Sequence, residues 1–177
     1  MNNIKKITAI AVISALAYIS MLVIKIPIQF LNLDIKDVLI TLGGFMLGFI
    51  PAIIISFLVA FLELITISSS GLIGFFMNFI STIFFVLPIV FIYKKFNSKK
   101  SILVSIFIGT ISMSIIMVLF NILITPIYLK TPLEEVLLLL PSLIIPFNIV
   151  KGLLNGFLIL LLAQPITNAL KKSNLYS

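Results

Sequence analysis

The sequence predicts an all-α integral membrane protein, a single domain of six helices with a short second helix and both termini cytoplasmic. Three observations carry this. The 177 residues are 62% hydrophobic and only 10% charged, whereas a soluble domain is close to half apolar and a quarter charged. The mean hydropathy is +1.35, so the chain has no polar coat to offer water. All twelve basic residues are Lys, and most cluster at the ends of long apolar runs, as membrane topology requires.

The first run, Ile7–Ile24, lies between Lys6 and Lys25. It is longer than a signal-peptide core and no cleavage pattern follows it, so a helix is expected over 4–26. From Val38 to Tyr93 a single charge, Glu63, interrupts the apolar sequence. Gly43, Gly44, Gly48, Pro51 and the Ser68–Gly71 run place the bends, giving helices over 37–49, 51–67 and 72–93. The first of these is too short to cross alone, since a crossing takes about 20 residues. A fifth helix is expected over 101–127. A less regular stretch with Pro132, Pro141 and Pro146 precedes a sixth, over 147–170.

Lysine placement supports this count. Lys5 and Lys6, then Lys94, Lys95, Lys99 and Lys100, then Lys171 and Lys172 form three clusters. If positive residues stay inside, all three are cytoplasmic, and four passes before Lys94 with two after Lys100 satisfy this. Lys25, Lys36 and Lys130 then fall in outer loops, and Lys151 is left in the membrane.

Polar residues inside the bilayer are costly and mark function. On a wheel of 100° per residue with Asn148 at 0°, Lys151 falls at about −60°, Asn155 at about −20° and Gly152 at about +40°. One narrow stripe thus holds two amides, an ammonium and a glycine. A Lys at the bilayer centre costs about 3 kcal/mol on insertion scales, so a cavity or a partner must offset it. Snorkelling of Lys151 to the outer headgroups is the plainer alternative. Asn78, in GFFMNF, and Asn121, in LFNILITP, offer matching groups or simple interhelical hydrogen bonds. Glu63 either caps the third helix, neutralises Lys151 or faces the cavity. Asp34 and Asp37 precede the second helix; Asp37 reads most simply as a first-turn acid favoured by the helix dipole, with a ligand role the sharper option. Phe75, Phe76 and Phe79 surround Gly74 and Asn78 and suit the wall of a flat aromatic ligand. Ala11 and Ala15, four residues apart on the first helix, let another helix approach closely, either within the protein or on a partner subunit.

Much is excluded. Cys and His are both absent, which removes disulfides, thiol chemistry and any Ser/His or Cys/His pair, and argues against zinc or haem. No phosphate-binding Gly-rich Lys motif occurs. Five acids, mostly at helix ends, do not make a metal-dependent catalytic centre. No enzyme and no cofactor are expected. The net charge of +7 belongs to lysines at helix ends rather than to a nucleic-acid groove. The chain is small for a transporter that moves a solute alone, yet large enough to hold one.

These features resemble the substrate-binding S components of energy-coupling factor vitamin transporters, and among them the riboflavin-binding type. IPFNIVKG, Ile145–Gly152, looks like that type's signature in the last helix. LDIKDV, Leu33–Val38, resembles the family's first loop, and GFFMNF a Gly-Pro-Phe-x-Asn-Phe motif with Phe75 where proline is commoner. Asn121 falls where the family has an Asn in the fifth helix, and the Ala-rich first helix is similar to its docking surface. Around Glu63 the likeness weakens, the chain reading ELIT where the family tends to have Lys-Asn.

The resemblance implies a six-helix S-component bundle in the cell membrane of a prokaryote. It implies a riboflavin site near the outer face, and docking onto a transmembrane coupling subunit with two ATP-binding subunits. It also implies that Asn121, Asn148 and Lys151 bind the polar edge of the flavin. The expected substrate-binding set is therefore Asp37, Gly74, Phe76, Asn78, Phe79, Asn121, Asn148, Lys151 and Asn155, with Ala11 and Ala15 docking the partner. An S component for folate, thiamine or pantothenate, or a membrane scaffold subunit, are the rival readings.

Overall fold

The structure, a computed structural model, describes residues 3–96 and 98–172, the side chains of 167–172 excepted. The cluster at Lys171 and Lys172 lies outside the described side chains. Helix α1 (Asn3–Val23) leads into a hairpin of β1 (Lys25–Ile28) and β2 (Leu31–Asp34). Then follow α2 (Lys36–Leu47), α3 (Phe49–Thr66), α4 (Gly71–Phe96) and α5 (Lys99–Leu129). Helix α6 (Leu133–Leu139), a π-helical turn (Leu140–Ile144) and α7 (Ile145–Lys172) run on without a break. The described residues thus make six helical rods, five of them long and apolar enough to cross a membrane.

The breaks follow local chemistry. Gly48, at φ +107°, adopts a backbone that other residues rarely reach and separates α2 from α3. Pro51 then sits in the first turn of α3, where its missing N–H goes unnoticed. Ser98 caps α5 by a reciprocal box with Ser101, each side chain bonding the other's backbone at 3.1 Å.

Three expectations need correction. The first helix stops at Val23, and residues 25–34 form an antiparallel hairpin that pairs Lys25 with Asp34. Its turn is closed by Gln29 at φ 53°, and the Leu-Asn-Leu-Asp alternation of β2 is the two-residue period of a strand. The stretch around Pro132, Pro141 and Pro146 is helical rather than irregular. Pro146 has no N–H to donate, and at this point the chain widens to a π turn in which Ile145 donates to Leu140 O, five residues back. Finally, Lys36 is no outer-loop lysine: it is 1% exposed.

Packing is the inverse of a soluble protein. Large apolar side chains such as Phe57, Phe91, Phe107, Ile115 and Phe157 are exposed around the bundle, while Asp34, Asp37, Asn121, Asn155 and Lys151 are buried. Lipid surrounds the first set, and the second must find its partners inside. Short α2 is held among α1, α3, α4 and α7, and nearly all of it from Lys36 to Phe45 is buried. It forms the axis of the bundle. Its Ile40 and Phe45 join Ile55, Phe85, Ile89 and Met113 in a dry core.

Candidate functional site

At the hairpin end the bundle buries a set of ion pairs. Asp34, at the end of β2, places Oδ2 3.1 Å from Nζ of both Lys36 and Lys151. Lys151 also stands 3.8 Å from Asp37 Oδ2. Lys36 lies 3.9 Å from Glu63, which Lys25 meets at 3.2 Å. Three ammoniums thus face three carboxylates. Neutral groups fill the gaps: Lys36 donates to Asn78 Oδ1 at 2.6 Å, Thr82 donates to Asp37 Oδ1 at 2.7 Å, and Asn78 Nδ2 donates to Glu63. Asn155 Nδ2 ties α7 to the hairpin through the carbonyl of Asp34, at 2.9 Å. Burial alone would raise the Asp34 carboxyl, but the ammoniums of Lys151 and Lys36 overcome this and hold it down at about 2.

Beside this network lies a cavity enclosing about 810 Å³ of atom-free space, its open mouth included. The turn of the hairpin, α3, the start of α4, α5 and α7 wall it. Of the nine expected substrate-binding residues, Gly74, Asn78, Asn121, Asn148 and Lys151 line it. Asn121 and Asn148 each donate to the carbonyl four residues back, at 2.7 Å, which fixes the side chains against their own helices. The other four stand elsewhere. Asp37 and Asn155 are buried in the ion-pair network and do not reach the cavity wall. Phe76 is 53% exposed on the outside of α4, and Phe79 is stacked on Phe75 at 6.2 Å, outside the lining.

Phe75 itself lines the cavity, as does Phe147. The helical period could have shown this. Counting back from Asn78 at 100° per residue, Phe75 lies at about +60° and Phe76 at about +160°, on the far side. Glu63 lines the cavity as well, as one of its three readings expects. Its carboxylate faces Lys25 and Lys36 as it does so. Ala11 and Ala15 are exposed on α1, to one side of the stripe of buried Ser14, Ala17 and Met21.

Residues 5–166 match the family described as ECF transporter, substrate-specific component. The chain belongs to this family. Among relatives, it is 32% identical over 182 residues to the riboflavin transporter RibU of Staphylococcus aureus, covering 97% of this chain and 95% of that one. It is 31% identical to the riboflavin transporter FmnP of Bacillus subtilis, covering 85% and 86%. A solved structure, described as the S component of a bacterial ECF transporter, superposes with a TM-score of 0.81 at 31% identity. It covers 96% of this chain and 99% of its own. The chain is thus an S component, a membrane-embedded part of a transporter rather than an enzyme. Its substrate-specific role gives the cavity a purpose that its geometry alone would leave open.

The chemistry of the S-component cavity is divided. Its lining includes aromatic and thioether groups, Phe75, Phe147, Met77 and Met117, together with amides and a hydroxyl from the hairpin, α5 and α7, Asn32, Asn121, Asn148 and Thr125. Such a site takes a flat apolar body with a hydrogen-bonding edge.

Proposed function

We propose that this S component captures riboflavin at the outer face of a bacterial cell membrane and delivers it inward. Delivery requires docking onto an ECF module of one transmembrane coupling subunit and two ATP-binding subunits. The carrying observation is the convergence of Asn78, Asn121, Asn148 and Lys151, from three helices, on one cavity walled by Phe75 and Phe147. An isoalloxazine ring offers both acceptors and an N–H along one edge, which amides and an ammonium can meet together. The riboflavin transporters among its relatives span nearly the same length of chain.

Lys151 is accommodated because its charge is already balanced by Asp34 and Asp37. It therefore needs no snorkelling route to the headgroups. The three lysine clusters support an orientation with both termini and the 94–100 loop cytoplasmic, the hairpin then facing outward. A Cys introduced at position 97 should stay unlabelled by an impermeant thiol reagent on intact cells. Labelling there would reverse the orientation.

The ligand itself is the direct test. Protein purified from riboflavin-fed cells should release riboflavin on denaturation, identified by mass spectrometry. Release of folate, thiamine or pantothenate instead would replace the flavin reading with another vitamin, and a reproducibly empty protein that binds none of them would favour a scaffold role.

A further inference from the structure

We infer that the cavity selects an uncharged ligand and that Glu63 is the residue that excludes anionic ones. Resting on the flavin reading above, this makes the substrate riboflavin itself rather than its phosphate ester. The argument begins with the cavity wall. Two of its residues carry a full charge, Glu63 and Lys151. Neither is uncompensated. Lys151 is held 3.1 Å from Asp34 and 3.8 Å from Asp37. Lys36, behind the wall, is shared between Asp34 at 3.1 Å and Glu63 at 3.9 Å. Lys25 is spent on Glu63 at 3.2 Å. Three positive and three negative groups therefore close on one another, and this network leaves no surplus cation to receive an anion.

A phosphate monoester brings a charge of about −1.5 to −2 at neutral pH and wants Arg, Lys or bare backbone N–H groups around it. Lys151, the cation of the wall, is already engaged by Asp34 and Asp37, and a further positive feature is the start of α4, where Ser70 and Gly74 line the cavity. A helix N-terminus supplies about half a positive charge, less than the full negative charge on Glu63. Dephosphorylated ligand suffers none of this. Its hydroxyls can donate to a carboxylate that an ester oxygen would be repelled by, so one side chain both accepts the right ligand and opposes the wrong one.

The test is the ratio of two affinities in purified protein, read by quenching of flavin fluorescence for riboflavin and for riboflavin 5′-phosphate. The wild-type chain should prefer riboflavin by about a hundredfold or more, since like charges brought together in a desolvated site are strongly disfavoured. Glu63→Gln keeps the shape, leaves one ammonium in surplus, and should shrink that ratio by about tenfold or more. Glu63→Asp, which keeps the charge, should retain most of the preference. Should Glu63→Gln fail to fold, Lys25→Met removes the cation opposite Glu63 at a partly exposed position and should widen the ratio. Equal wild-type affinities for the two flavins would overturn the inference, as would a ratio that neither Glu63→Gln nor Lys25→Met moves. Failure of riboflavin to bind the wild-type chain at all would instead overturn the flavin reading, and this inference with it.

Discussion

Two regions of the bundle bury their contents by opposite means. At the hairpin end, Asp34, Lys36, Asp37 and Lys151 are each 4% exposed or less. Where α4 crosses α5 near Gly109, the glycine meets Phe85 and Ile89, and the buried Ser105 bonds back to Ile102 O of its own helix. In lipid there is little hydrophobic gain from bringing helices together, so the dry region relies on close backbone approach. A Cβ on Gly109 would stand 2.6 Å from the Phe85 carbonyl oxygen and 3.0 Å from Ile89 Cγ1. The polar region relies instead on completeness. Each charge is tolerable because every other is present, and so its parts should fail singly and survive in pairs.

The largest effect should come from breaking that completeness. Asp34→Ala removes the nearest carboxylate of both Lys36 and Lys151 and should cost about 3–5 kcal/mol, the range for removing one partner of a buried pair. It would be read as a lowered midpoint for loss of helical circular dichroism on heating in detergent. Removing Lys36 as well, as in Asp34→Ala with Lys36→Met, should recover part of the loss. A double variant as unstable as the sum of its single changes would break the picture of a closed set. Acid offers the same test without mutation. The folded Asp34 carboxyl titrates near 2 against an ordinary 3.8. Its folded pKa is depressed, so its stabilisation is complete above the ordinary value and is lost as pH falls through the window down to about 2.

Next in size is the ligand contact. Lys151→Ala should weaken riboflavin binding by about 1.5–3 kcal/mol, the range for a charge-assisted hydrogen bond. Because Lys151 also partners Asp34, affinity and thermal stability should fall together. An affinity that stays within about twofold, which is well under 1 kcal/mol, would remove Lys151 from the site.

The dry contact should respond more mildly and without touching the ligand. Gly109→Ala should cost about 1–3 kcal/mol, as overpacking does in a close-packed interior. The obstacle is the backbone of α4, which cannot rotate away. Riboflavin affinity of the folded fraction should be unaltered, because Gly109 does not line the cavity. A fall in affinity equal to that of Lys151→Ala would mean the two regions are not separable.

The same division governs what the sequence discloses. The dry half was legible: apolar runs, glycines and prolines located the crossing helices to within a few residues, because hydropathy is a local property. The Asn148–Lys151 stripe was legible too, since one helix holds it and its period is fixed. Lys36 was not. In one dimension it is a charge at a helix end, indistinguishable from Lys25. It is buried because Asp34, Asn78 and Glu63 arrive from three other elements, and no local pattern announces such a meeting. The hairpin carried a weak signal in its alternation, masked by the hydropathy of Ile24, Ile26 and Ile28. Phe76 stands beside Phe75 in sequence, yet the helical period turns it to another face; Phe79, four residues from Phe75, shares that face, and period alone does not show that it falls outside the lining.

The smallest effect on the isolated protein should come from α1, and it sharpens the comparison because α1 belongs to neither region. Ala11 and Ala15 are exposed, and no residue of α1 lines the cavity. The helix packs against α2 and α3 through Ser14, Ala17 and Met21, leaving the two alanines on a face with nothing of its own chain upon it. Replacing both with Leu should therefore change stability by no more than about 0.5 kcal/mol, as exposed substitutions usually do, and leave riboflavin affinity intact. Uptake by cells should nonetheless fall sharply. Small residues four apart permit close approach of a second helix, and two isobutyl groups would hold a coupling subunit off at that point. Both measurements are needed, since each alone has another explanation. If affinity and uptake fall together, the alanines serve internal packing after all; if uptake survives, the coupling subunit docks on another helix.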